Sequence, residues 1–87
     1  MPKYWNCADE GQHWVIEREL KSMLEGNHFR FHYGIQIESV EAISINKDST
    51  ADADIYGRDE NNRKNQYHLR LKLYPAGDFV IMNTTKK

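Results

Sequence analysis

Eighty-seven residues with a formal net charge of −1 make one small domain, too nearly neutral to attract nucleic acid or an anionic membrane. The only cysteine, Cys7, excludes an intrachain disulfide and leans towards a reducing, cytoplasmic setting. No apolar run is long enough to span a bilayer and none has the form of a signal-peptide core, so membrane insertion is not expected.

The chain opens with an arm, residues 1–8, which has no periodicity. It carries Tyr4 and Trp5, two aromatics that need cover from this core or from a partner. Asp9 and Gln12 have the spacing of a capping box and predict a helix over residues 9–25. Ile16, Leu20, Met23 and Leu24 fall on one stripe, Glu17 and Lys21 form an i,i+4 pair, and Gly26 stands just past the end. Trp14 points away from the stripe and therefore needs another explanation.

From Phe29 to Ile37 every odd position is apolar or aromatic and every even one is polar or glycine. This period of two predicts a long curved strand running on to Ile45, with a bulge where the alternation stumbles at Glu38-Ser39-Val40. Asn46 to Ser49 has turn composition. Ala51, Ala53 and Ile55 alternate with polar residues in a second strand, and residues 57–65 form a solvated loop. Tyr67, Leu69, Leu71 and Leu73 mark a third strand. Pro75 to Asp78 is a turn, Phe79 to Met82 a shorter fourth strand, and Thr84 to Lys87 a frayed polar tail.

The expected fold is therefore α+β, an N-terminal helix packed on a curved four-stranded antiparallel meander over residues 28–83. Four strands about 4.8 Å apart make a sheet roughly 15–19 Å wide. One helix is about 10 Å across, so it cannot cover the apolar face alone. The remainder falls to the arm, a ligand, a second copy or another protein. Residues 1–45 carry four Lys/Arg against seven Asp/Glu, a balance of −3, and residues 46–87 carry eight against six, a balance of +2. Head-to-tail association can use that asymmetry.

The runs Phe29-Arg30-Phe31-His32-Tyr33 with Ile37-Glu38-Ser39-Val40, Ser49 to Ala53, Tyr67 to Leu71 and Gly77 to Ile81 resemble nuclear-transport-factor-2-like, cystatin-like α+β domains. The nearest likeness is to the C-terminal domain of cyanobacterial and plastid division proteins, over roughly residues 14–83. The resemblance implies an aromatic strand, a turn, an alanine-alternating strand and a final aromatic strand after a helix. Phe79 stands where that family carries a terminal tryptophan, and the family's preceding helices are absent. The glutamine–valine–glycine loop of cystatin inhibitors is absent as well.

His28, Arg30 and His32 are assigned to the outer face of the first strand, Asp52 and Asp54 to that of the second, and His68, Arg70 and Lys72 to that of the third. The ordinary reading is a basic–acidic–basic ladder of cross-strand pairs, and the sharper one a His/Asp metal or acid–base site. His28 and His32 are roughly 13 Å apart along a strand, too far for one metal ion. Tyr33 and Tyr67 face inward, as core residues or as pocket residues that orient a ligand. No inward carboxylate accompanies them unless Glu41 turns in at the bulge, so no catalytic residue, cofactor or metal is assigned.

Three functions follow. The first is a non-catalytic protein–protein interaction module, self-associating as a homodimer, with Tyr4, Trp5, Trp14 and Phe79 as anchors and the uncovered sheet face as surface. The second is a small-molecule-binding domain or enzyme using the concave face. The third is a stand-alone protein inhibitor, such as a phage-encoded one.

Overall fold

The computed structural model describes residues 5–26, 31–32 and 34–87. Asp9 starts the helical segment: its carboxylate accepts the Gly11 N–H at 3.0 Å and opens a 3-10 turn, Glu10–Gln12. The turn feeds the helix α1, His13–Glu25. Gln12 does not reach back to Asp9 as a capping box requires. Its Oε1 instead accepts the Asn6 N–H at 3.2 Å, which ties the arm to the helix start. Ile16, Leu20 and Leu24 are buried and Met23 packs beside them, so the stripe faces the core. Gly26 ends the helix in extended backbone, φ −82° and ψ 174°, its N–H bonded to the Met23 carbonyl.

The stretch from Phe29 to Ile37 is not one strand. Gly34 takes φ +74°, and Phe31–His32 (β1) turns back on Ile35–Ile45 (β2), pairing Phe31 with Gln36 and His32 with Ile35. A period of two records which face each side chain takes. It does not record whether the chain reverses, and a glycine at positive φ permits a tight reversal. Phe29 and Arg30 lie outside the described residues.

Thr50–Arg58 (β3), Lys64–Tyr74 (β4) and Asp78–Lys86 (β5) complete an open antiparallel sheet in the order β1-β2-β3-β4-β5. Four long strands thus form the expected meander, with β1 a two-residue addition at one edge. The expected tail is corrected. β5 runs on through Thr84, Thr85 and Lys86, and the Lys87 N–H bonds the Gln66 carbonyl at 2.8 Å.

The register shifts fall at the two flanks. On β2, Glu38 and Glu41 are extra residues between Ile37/Ser39 and Val40/Ala42. On β5, Met82 is extra, since Arg70 pairs Asn83 while Leu71 pairs Ile81. β3 and β4 pair without a shift. Bulges bend a strand and disrupt its exposed hydrogen-bonding edge, and both outer long strands carry them.

The inner face is apolar at its centre, and Thr84 of β5, opposite Leu69, brings a buried hydroxyl to its margin. Ala51, Ala53 and Ile55 of β3 and Tyr67, Leu69, Leu71 and Leu73 of β4 are buried, and among the described residues no polar or charged residue is. The expected uncovered face is not there. α1 lies chiefly over β2, and the arm closes the far end. The Trp5 N–H bonds the Pro75 carbonyl at 2.8 Å, beyond β4, and its indole N–H donates to Glu19 of α1 at 2.7 Å. Cys7 is buried beside the 46–49 turn, where burial pushes its thiol pKa up against a hydrogen bond with Ser49. Of the candidate covers for the sheet, the arm supplies the one the helix leaves open.

Candidate interaction surface

α1 has a second face. Trp14 is one position off the buried stripe's angular range and remains 61% exposed, the most exposed large apolar side chain among the described residues. The Arg18 guanidinium lies 5.2 Å from its ring centroid, one helical turn on. Because β2 lies beneath α1, a shallow groove of about 250 Å³ opens between the two. The helix contributes Trp14, Glu17, Arg18 and Lys21 to its wall. The strand contributes Val40 and Ile43 as an apolar floor, with Ala42 and Glu41 exposed at its lip.

The double bulge makes this floor. Ile37, Val40, Ile43 and Ile45 all turn towards the core although their spacing fits neither strict alternation nor a helix. Each extra residue advances the chain without advancing the face. Glu41 is one of those extra residues and is exposed, so it brings no carboxylate to the inner face.

The outer face carries a different cluster. Asp52 pairs Arg70 and Asp54 pairs His68 across β3 and β4. His68 Nδ1 lies 3.0 Å from Asp54 Oδ1 and Nε2 lies 3.0 Å from Asp52 Oδ1. Both ring nitrogens face carboxylate oxygens, which only accept when ionised, so the arrangement favours the imidazolium, the form that donates from both. These bonds, to Asp54 first and Asp52 second, raise the His68 pKa above its ordinary value against burial. Lys87 reaches Asp54 at 3.0 Å, and Arg70 and Asn46 reach Asp52 at 3.4 and 3.2 Å. Burial opposes ionisation of Asp52, but its hydrogen bonds and the Arg70 and His68 charges outweigh it, and the carboxyl is lowered; hydrogen bonds from His68 and Lys87 lower Asp54. These contacts all lie within the chain and tie β3, β4 and the C-terminal residue together as a cross-strand clamp.

The expected ladder is corrected on its other side. Across β2 the neighbours of Asp54 and Asp52 are Ala42 and Ser44, because the tight 46–49 turn sets the register and places residues 42–45 opposite 51–54. The ladder is therefore two strands wide, with Lys87 added. His28 lies outside the described residues. Among the described residues no group of three His, Cys, Asp or Glu side chains is placed to hold a metal ion.

The other expected site residues divide clearly. Trp5 and Phe79 are buried at 5% and 3% exposure, inside their own core, and are not surface anchors. Tyr67 is likewise core, its hydroxyl bonded to Asn65 Nδ2 at 3.3 Å. Tyr4 and Tyr33 lie outside the described residues. Of the expected site residues that are described, only Trp14 stands at a surface. Arg18 was missed, although its i,i+4 spacing from Trp14 is a signal that pairs them; Ala42 and Ile43 carry no such signal, since two bulges precede them. Comparison of the chain with profiles of protein families, with curated proteins and with solved structures finds no match.

Proposed function

We propose that this chain is a non-catalytic protein–protein interaction module of the cytoplasm, and that it binds through the α1–β2 groove around Trp14. The observation that carries this reading is the exposure of Trp14 on a fold that buries its other tryptophan and the apolar inner positions of β3 and β4. A tryptophan left in water beside an apolar floor is the usual form of a binding anchor. The groove, at about 250 Å³, lies below the roughly 300–1,000 Å³ of small-molecule pockets, which favours a protein surface over a metabolite. The buried, proton-holding thiol of Cys7 fits a chain that does no thiol chemistry.

A photo-crosslinking residue placed at position 14 tests the reading in cells that make the chain. The expected result is a discrete adduct, absent when the same residue replaces exposed Glu60 in the β3–β4 loop. Equal, diffuse labelling at both positions would remove the reading.

A further inference from the structure

We infer that the partner of the Trp14 surface is a second copy of this chain, joined across a two-fold axis with the two α1–β2 grooves face to face. The inference rests on the reading of that surface as a binding face and adds its occupant. Three observations carry it. The rim holds both signs in equal number, Glu17 and Glu41 against Arg18 and Lys21. A two-fold axis sets a patch against itself, so a patch that is to match itself must carry both signs. A rim built for an acidic or basic partner would carry one.

Next, the rim charges form no ion pair with one another, although Glu41 accepts the Ser39 hydroxyl at 3.3 Å. Among the described residues Glu17, Arg18 and Lys21 make no ion pair, so the expected i,i+4 pair of Glu17 and Lys21 does not form, and Arg18 only lies against the Trp14 ring. Elsewhere the chain pairs Glu10 with Lys47, Glu38 with Arg58, and Asp52 and Asp54 with Arg70, His68 and Lys87.

The third observation is shape. Projection and recess lie on the same patch, since Trp14 stands at 61% exposure beside the floor of Val40 and Ile43. A two-fold axis through the patch lays each tryptophan over the other copy's floor, near its mate, and sets Arg18 and Lys21 against the other copy's Glu17 and Glu41. A net charge of −1 per copy opposes the approach only weakly.

Sedimentation equilibrium of the full chain is the test, up to about 100 μM so that a small, weak interface is still populated. The wild type is expected to approach twice its 10.3 kDa mass. Trp14→Ala should weaken association at least tenfold. Arg18→Glu and Glu41→Arg should each sediment as a monomer, and their equimolar mixture should recover the dimer, because each then meets its opposite across the axis. Circular dichroism of each variant confirms the fold. A wild-type monomer throughout the range overturns the proposal, as does a dimer that none of these variants weakens. A monomer whose position-14 crosslink joins a protein of another mass overturns the dimer and leaves the binding face standing. Absence of any specific crosslink as well removes both.

Discussion

The inner positions of β3 and β4 hold alanines, leucines, Ile55 and Tyr67 with almost no exposed area, while the alternate positions hold Asp52, Asp54, His68 and Arg70, hydrogen-bonded to each other and half in water. The same backbone supports both faces, yet they differ in what a side chain contributes. Burying apolar area yields about 25 cal/mol per Å², and a cavity left behind adds to the loss. A partly exposed ion pair exchanges water for a partner and contributes roughly 0–1 kcal/mol. Stability therefore resides on the inner face. The outer face fixes which residue stands opposite which.

Leu71→Ala breaks this contrast most severely. Leu71 is fully buried, between Ala51 and Ile81 on the neighbouring strands. The expected loss is about 2–5 kcal/mol, which is much of the roughly 5–15 kcal/mol that holds a domain together. Urea unfolding measures it, and a loss below 1 kcal/mol would mean the inner face is loosely packed.

Gly57→Ala comes next and tests the close approach of β2 to β3. A Cβ there would meet Ile35 Cγ2 at 2.7 Å and the Gln36 carbonyl at 2.8 Å. Backbone must move, at about 1–3 kcal/mol. A neutral result would show that β2 yields easily beside Gly34.

His68→Gln addresses the outer face and should be smaller, under about 1 kcal/mol, because the ring is more than a third exposed. Its signature is pH dependence. A histidine whose pKa is raised by folding contributes fully below its unfolded value near 6.5, and that contribution is lost as pH rises through the folded value. Asp52 and Asp54 are lowered, so their contribution is present above about 3.8 and lost as pH falls through their folded values. The clamp is complete between those limits. The thermal midpoint of the wild type should fall from pH 6 towards pH 8 more than that of the variant. Parallel curves would dissociate His68 from the fall.

Trp14→Ala has the smallest expected effect on the folded monomer, within about 0.5 kcal/mol, since the side chain faces water. Any larger loss, measured by dilute thermal melting where association is absent, would make Trp14 a core residue and end its role as an anchor.

The sequence carried this division unevenly. Ile16, Leu20 and Leu24 and the alternating residues of β3 and β4 were readable, because helix and strand periods are imposed by which side chains must leave water. The bulge at Glu38 was readable as a break in that period. The reversal at Gly34 was not, because a hairpin of two short strands keeps the alternation that a single strand shows. β5 beyond Met82 was not readable either: Asn83 to Lys86 stay in the sheet through backbone pairing with β4, which leaves no pattern in side-chain polarity. Trp5, Phe79 and Trp14 illustrate the remaining limit. An aromatic that closes a core and one that anchors a partner have the same composition, and only Trp14, set apart by its helical angle, was distinguishable.

Cys7 gives the arm a clock. Its thiol is enclosed beside the 46–49 turn, and a thiol reagent reaches it only when residues 5–8 lift away. Lifting breaks the contacts of Trp5 with Pro75 and Glu19 and of His13 with the Cys7 carbonyl, but leaves every strand pairing in place. The free energy of that excursion therefore lies below that of global unfolding, and its denaturant dependence should be shallow. Labelling rates at rising reagent concentration then separate how often the arm departs from how quickly it returns, and so measure how long the apolar end of the sheet is wetted in an otherwise native molecule.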